Sequence, residues 1–124
     1  MALFPGDTER LKRISYKGKE IILADYSGLK EMEMIALTNQ HRDLVVQERK
    51  ESLFVANYEN TYGTAGYMKA AHEFTKATKP FIRRGAFLGV TGPKVALLKG
   101  VTYFLKVDFK SFDNEQDALD FLVP

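Results

Sequence analysis

The chain has 124 residues, of which 45% are apolar, and its 18 Lys and Arg against 16 Asp and Glu leave a net charge of +2. This length and composition fit a single folded domain and argue against intrinsic disorder. Because the chain has no Cys, disulfides, thiolate zinc sites, iron–sulfur clusters and cysteine nucleophiles are excluded.

The sequence carries no targeting or membrane signal. No apolar run approaches the ~18 residues that cross a bilayer, and residues 1–13 lack the apolar stretch of a signal peptide. We therefore expect a cytoplasmic protein that does not span a membrane. The small charge excess gives no strong signal for a nucleic-acid partner. We expect one domain over 1–124, with residues 1–9 as a leading arm.

The chain begins with a predicted β-hairpin and a long helix. Residues 11–17 alternate apolar and polar side chains, a turn follows at Lys17-Gly18-Lys19, and 20–25 is a second strand. After Gly28 the apolar residues recur every three or four positions, which predicts an amphipathic helix over 30–49.

Three strand–helix pairs are predicted downstream. Strands are expected at 52–57, 85–90 and 109–112, and helices at 64–78, from Pro93 onward, and at the end of the chain. We expect Asp113 and Gln116 to form a capping box for the last helix. The order ββαβαβαβα predicts a single α/β domain with a mixed, mostly parallel five-stranded sheet and about four helices, covered on both faces.

Ligands of open α/β sheets bind beyond the carboxyl ends of the parallel strands, where the loops into the helices gather. Three polar loops occupy those positions here. The candidate ligand-binding residues are Asp25, Tyr26 and Ser27 in the first loop, Asn57, Tyr58 and Thr61 in the second, and Thr91, Gly92 and Lys94 in the third.

The first and third loops each have two interpretations. Pro93 leaves backbone N–H groups free at a helix start and Lys94 adds a charge, so an anion such as phosphate would be stabilised there. Alternatively, the residues before Pro93 only cap the helix. Asp25 and Ser27 could hold a cation or receive a phosphate, or they could simply turn the chain.

The tyrosines of the second loop are a further feature. Tyr58 and Tyr62 could stack on a planar or apolar ligand or form a self-association surface, whereas Tyr67 falls on a helix stripe and is expected in the core.

No metal, cofactor or nucleophile signature is found. His41 lies on an apolar helix stripe, where we expect a packed histidine with satisfied polar atoms, and His72 is expected in solvent. The two lack zinc spacing. Ser27, Asp25 and one histidine could be written as a triad, but Ser27 is not in a nucleophile elbow. No Walker A pattern is present.

Three segments resemble a bacterial family of uncharacterised STAS-like proteins, which is similar to the sporulation anti-sigma-factor antagonist and, more distantly, to CRAL-TRIO lipid-binding domains. The segments are 25–29 (Asp-Tyr-Ser-Gly-Leu), 84–92 and 112–122. The resemblance spans about 10–122 and implies the same fold. STAS antagonists switch by phosphorylation of a loop serine, which makes Ser27, Thr61 and Thr64 candidates for phosphorylation here. Residues 25–29 lie one strand–helix unit too early for that loop, and 57–64 lack the motif.

The leading hypothesis is therefore a STAS-like regulatory module that binds a protein or a small ligand at the edge formed by these loops. The partner would be a protein, a second copy of the chain, or a small anionic or apolar ligand. A carrier of an apolar, lipid-like ligand is the alternative. A hydrolase-type enzyme ranks third, with Asp25, Ser27 and Lys94 as its convergent candidates.

Overall fold

The computed structural model describes residues 8–124, apart from the side chain of Phe104. The expected leading arm, 1–9, lies almost wholly outside the described residues. In chain order the elements are β1 (Leu11–Tyr16), β2 (Lys19–Asp25), α1 (Glu31–Glu48), β3 (Ser52–Asn57), α2 (Ala65–Thr78), β4 (Ile82–Leu88), α3 (Pro93–Leu105), β5 (Phe109–Phe112) and α4 (Glu115–Leu122). The predicted order ββαβαβαβα is confirmed.

The prediction is wrong at both ends of β4 and at the start of α4. β4 begins at Ile82 rather than at residue 85 and ends at Leu88, because Gly89 adopts a φ of +72° that a strand cannot continue. The N-cap of α4 is Asn114, whose Oδ1 accepts the Asp117 N–H at 2.9 Å, so the predicted capping box at Asp113 does not form.

The sheet has the order β1-β2-β3-β4-β5. β1 pairs antiparallel with β2, and β2 to β5 are parallel. From β2 to β5, each strand lies next to the preceding one and always on the same side of it. Right-handed crossovers then place every connecting helix on one face of the sheet. Helices α1, α2 and α3 accordingly share that face, and α4, which follows the last strand, covers the opposite one.

The core is divided by the sheet. On the face of α1, α2 and α3, alternate strand residues such as Ile22, Phe54 and Phe87 are buried against the helices. On the other face, residues such as Ile21, Val55 and Ala86 are buried against α4. Close approach requires a glycine at position 85, since a Cβ there would lie 2.6 Å from the ring of Phe54.

Candidate functional site

The three loops that follow β2, β3 and β4 are joined by backbone hydrogen bonds. Tyr26 N–H donates to the carbonyl of Asn57 at 2.9 Å, and Tyr58 N–H donates to the carbonyl of Leu88 at 2.8 Å. A Cβ at Gly89 would lie 2.5 Å from the backbone nitrogen of Glu59, so only glycine allows this approach. The loops therefore form one connected edge, as the strand order predicts.

Asp25 and Ser27 form a closed turn in the first loop. Oδ1 of Asp25 accepts both the backbone N–H of Ser27 at 3.0 Å and its hydroxyl at 2.6 Å. Nη1 of Arg10 donates to the carbonyl of Ser27 at 2.8 Å and lies 3.9 Å from Oδ2 of Asp25. This geometry is that of an Asx turn held by an arginine. Asn57 builds a similar turn, since its Oδ1 accepts the N–H of Glu59 at 3.0 Å.

The side chain of Lys94 points back into the molecule. Its Nζ donates to the carbonyl of Tyr58 at 3.0 Å, so the side chain bridges the start of α3 to the second loop. Gly92 is the N-cap and provides no side-chain cap, while Thr91 and Gly92 are exposed. The backbone N–H of Lys94 bonds to the carbonyl of Thr91 at 3.3 Å.

Behind this edge lies a cavity between the sheet and helices α1, α2 and α3. Its volume is about 80 Å³, and it is partly open to solvent beside Tyr62. One water needs roughly 10–15 Å³, so the space suits a small organic molecule better than a single water. The walls are mostly apolar; they include Met34, Phe54, Met68, Phe74, Phe87, Val90, Leu97, Leu98, Val101 and Phe109. Four of the predicted site residues line it, namely Tyr26, Tyr58, Thr61 and Lys94.

Two of these residues belong to a stack of tyrosines that closes the loop end of the cavity. The rings of Tyr26 and Tyr58 are parallel, with centroids 4.7 Å apart, and Tyr67 meets both rings edge-on. Burial raises the pKa of all three hydroxyls above the ordinary value of 10.0, so they remain protonated. The expectation that Tyr67 is buried is confirmed.

The hydroxyl groups of this stack form a chain with Thr38 of α1. Tyr26 Oη lies 2.8 Å from Thr38 Oγ1, which donates to Tyr67 Oη at 3.2 Å, and Tyr58 Oη lies 2.5 Å from Tyr67 Oη. The single hydrogen of Thr38 is used toward Tyr67, so Tyr26 must be the donor to Thr38. Tyr58 and Tyr67 then share one bond, and one of their two hydroxyl hydrogens is left over.

His41 is the other polar group in the cavity wall. Its side chain is 1% exposed and packs between the rings of Phe54 and Phe74, with centroids at 5.1 Å and 4.7 Å. Burial lowers its pKa from 6.5 to about 3, so the imidazole is neutral at physiological pH. The predicted core position is confirmed, but its Nε2 has no hydrogen-bond partner among the described residues, contrary to the expectation of a satisfied histidine.

The structure does not assemble the triad that can be written from the sequence. The hydroxyl of Ser27 bonds to Asp25 rather than to a histidine, His41 is enclosed by phenylalanines, and His72 is exposed as expected. Among residues 8–124, no three His, Asp or Glu side chains are grouped to hold a metal ion. None of the helices in the described chain is long and apolar enough to cross a bilayer.

The three candidate phosphorylation sites differ in accessibility. Ser27 is half-buried in its turn, and Thr61 is 5% exposed with its hydroxyl donating to the Tyr58 carbonyl at 2.6 Å. Thr64 is the N-cap of α2: its Oγ1 accepts the N–H of Tyr67 and donates to Oε1 of Glu31 at 2.7 Å. A phosphate on Thr64 would therefore face a carboxylate.

Sequence reasoning missed the wall that the helices contribute. Thr38, His41 and Thr75 lie on the inward stripes of α1 and α2; the sequence predicts His41 as a packed core residue and assigns no role to the two threonines. The available signal was the presence of hydroxyl and imidazole groups on stripes that are otherwise apolar, because buried polar groups need partners.

Comparison with known proteins agrees on the fold. No family model matches the chain, and no curated protein matches it. A protein of the DUF3478 family from Shewanella loihica PV-4, described as uncharacterised and with a SpoIIAA-like fold, superimposes with a TM-score of 0.69 at 14% identity, covering 90% of this chain and 91% of that one. An anti-sigma-factor antagonist (STAS) domain protein from Planctomyces limnophilus gives a TM-score of 0.62 at 15% identity, covering 92% and 98%.

The chain thus has the SpoIIAA-like fold of STAS domains, in agreement with the resemblance drawn from the sequence. At these identities the likeness concerns the fold, and no CRAL-TRIO protein is among these two structures.

Proposed function

We propose that this protein is a non-enzymatic binding module that takes a small, mainly apolar molecule into the cavity between the sheet and helices α1, α2 and α3. The observation that carries the proposal is the cavity itself, which has apolar walls, a buried His41 whose Nε2 finds no hydrogen-bond partner in residues 8–124, and an opening beside Tyr62. Concave, mostly apolar sites with a few polar groups are the usual form of small-molecule sites.

The strand order supports an internal site rather than a surface crevice. Ligands of open α/β sheets usually sit where the strand order reverses, but the parallel strands here run in sequence without reversal. Instead, the tyrosine stack and Lys94 close the crevice between the three loops. The space available to a ligand lies beneath these loops.

Helix α3 supports the proposal because it is the cavity wall that a bound ligand would displace. None of its described side chains is fully buried, whereas α1, α2 and α4 each bury several. Its apolar residues Leu97, Leu98 and Val101 face the cavity without filling it. An occupant would bury these side chains further and gain free energy from that burial.

A regulatory role toward a protein partner is the second function that we propose. One protein with this fold is described as an anti-sigma-factor antagonist domain protein. Tyr62 at the cavity mouth is 82% exposed and Tyr103 on α3 is 78% exposed. A partner that contacts Tyr103 would sense the position of α3 and hence the occupancy of the cavity, and one that contacts Tyr62 would cover the cavity mouth.

A cavity-filling variant tests the binding proposal. Ala71 lines the cavity from α2, and Ala71→Leu should abolish ligand-induced stabilisation by occupying the space. The matched control is Ala77→Leu, an exposed position on the same helix that should keep the full effect. The measurement is the shift in Tm on adding a panel of compounds that have an apolar body and are either neutral or charged. Equal shifts in both variants, or no shift with any compound on the unmodified chain, would refute a ligand in this cavity.

A further inference from the structure

We infer that the ligand is electrically neutral and carries a hydroxyl or carbonyl oxygen, which the Nε2 of His41 and a hydroxyl of Tyr58 or Tyr67 recognise inside the apolar cavity. This inference rests on the proposed binding function and specifies the chemical class of its ligand.

His41 supplies the first polar contact. Its ring is 1% exposed and lines the cavity, and its Nε2 has no partner among the described residues. A buried polar nitrogen without a hydrogen-bond partner has lost its hydration without replacing it, which destabilises the fold. A ligand oxygen or hydroxyl that bonds to it offsets that loss, whereas a hydrocarbon does not.

The hydroxyl chain supplies the second contact. Tyr26, Thr38, Tyr67 and Tyr58 have four hydroxyl hydrogens for three bonds, and the donation from Thr38 to Tyr67 places the spare hydrogen at Tyr58 or Tyr67. Both of these side chains line the cavity. A ligand oxygen can accept this hydrogen, so the site contributes one donor besides the imidazole nitrogen.

The charges around the cavity favour a neutral ligand. The imidazole and the phenols are uncharged at neutral pH, and Lys94, the one charged side chain among the described residues that line the cavity, has its ammonium group at the loop edge, where Nζ donates to the carbonyl of Tyr58 at 3.0 Å. A carboxylate held at His41 among Phe54 and Phe74 would lose its hydration, and the neutral imidazole offers it no opposite charge. An alcohol or carbonyl compound avoids this cost.

Three single-ring compounds of similar size separate the alternatives: toluene, benzyl alcohol and benzoate. In a purely apolar cavity toluene would bind best, because benzyl alcohol loses hydration of its hydroxyl on entry. We expect benzyl alcohol to bind roughly two- to tenfold more tightly than toluene, the effect of one net hydrogen bond, and benzoate to bind weakest. Dissociation constants come from chemical-shift titration of the intact chain.

Variants assign the preference to the named groups. His41→Phe keeps a ring of similar shape and should reverse the order of benzyl alcohol and toluene, while His72→Phe on the exposed face of α2 should not. The double variant Tyr58→Phe, Tyr67→Phe should also reduce the preference. The control is Tyr16→Phe, whose hydroxyl bonds to Asp120 and Gln116 of α4 on the opposite side of the sheet.

Each outcome decides a separate claim. Toluene binding more tightly than benzyl alcohol to the unmodified chain would overturn the polar recognition and leave the binding function standing. Benzoate binding tightest, and losing that binding in Lys94→Met, would transfer recognition to the cavity mouth and overturn the neutral class. If none of the three binds while larger compounds raise Tm in an Ala71-dependent way, this inference is overturned but the binding proposal is not.

Discussion

At the scale of single residues, His41 couples the stability of the fold to pH. Its pKa is lowered to about 3 in the folded chain, against 6.5 when unfolded, so between these values the unfolded chain binds a proton that the folded chain lacks. The stabilisation that neutral His41 allows is therefore complete above pH 6.5 and declines as pH falls toward 3. The slope is up to about 1.4 kcal/mol per pH unit.

This slope is measurable by urea unfolding of the unmodified chain and of His41→Phe. From about pH 7 to about pH 5, the unmodified chain should lose about 2 kcal/mol more free energy of unfolding than the variant, which has no imidazole to titrate. The two proteins differ only at position 41, so the difference between them reports that residue. The control His72→Gln removes an exposed imidazole and should follow the unmodified chain. Identical pH dependence in all three would contradict the assignment of His41 as a buried neutral group.

At the scale of elements, α3 differs from its neighbours. α1 buries Met34, Leu37 and His41 against the sheet, while no described side chain of α3 is fully buried. Segments with few buried contacts open locally at lower free energy than the core. We expect amide hydrogens of α3 to exchange at least about tenfold faster than those in the middle of α1, and to slow when a ligand fills the cavity. Hydrogen exchange followed by mass spectrometry measures both. Protection of α3 equal to that of α1 in the free protein would contradict this prediction.

Most elements could be predicted from residue periodicity, because an apolar stripe or a continuous apolar run reports which side of an element faces the core. β3 and β5 match their predicted bounds, and Thr64 caps α2 where the pattern placed the helix start. The errors at β4 and at Asn114 have local causes. Arg83 and Arg84 interrupt the apolar pattern in the first half of β4. Asp113 and Asn114 are adjacent and cap helices equally well, so the pattern does not distinguish them.

At the scale of the whole molecule, the candidate site could be predicted only in part. Strand ends identified the loop edge, and Tyr26, Tyr58, Thr61 and Lys94 do line one space. The remaining wall comes from stripes of α1, α2 and α3, and a stripe shows that a side chain points inward without showing whether another side chain fills the space opposite. The gap under α3 depends on how far three helices spread over a five-stranded sheet, which is a property of the assembled fold.

The sheet separates folding stability from ligand binding, because α4 packs on one face and the cavity lies on the other. Leu119 of α4 is buried among residues of the α4 face, so Leu119→Ala should lower the free energy of unfolding by about 2–4 kcal/mol. The additional stability from a bound compound depends only on ligand concentration and dissociation constant, and should stay within about 0.5 kcal/mol of its original value. Phe74→Leu, in the cavity wall, should reduce both the free energy of unfolding and the additional stability from the bound compound. Urea unfolding with and without the tightest-binding compound measures them together. If Leu119→Ala also removed the ligand-dependent increment, the two faces would be energetically coupled through the sheet, and α4 would be part of the binding site.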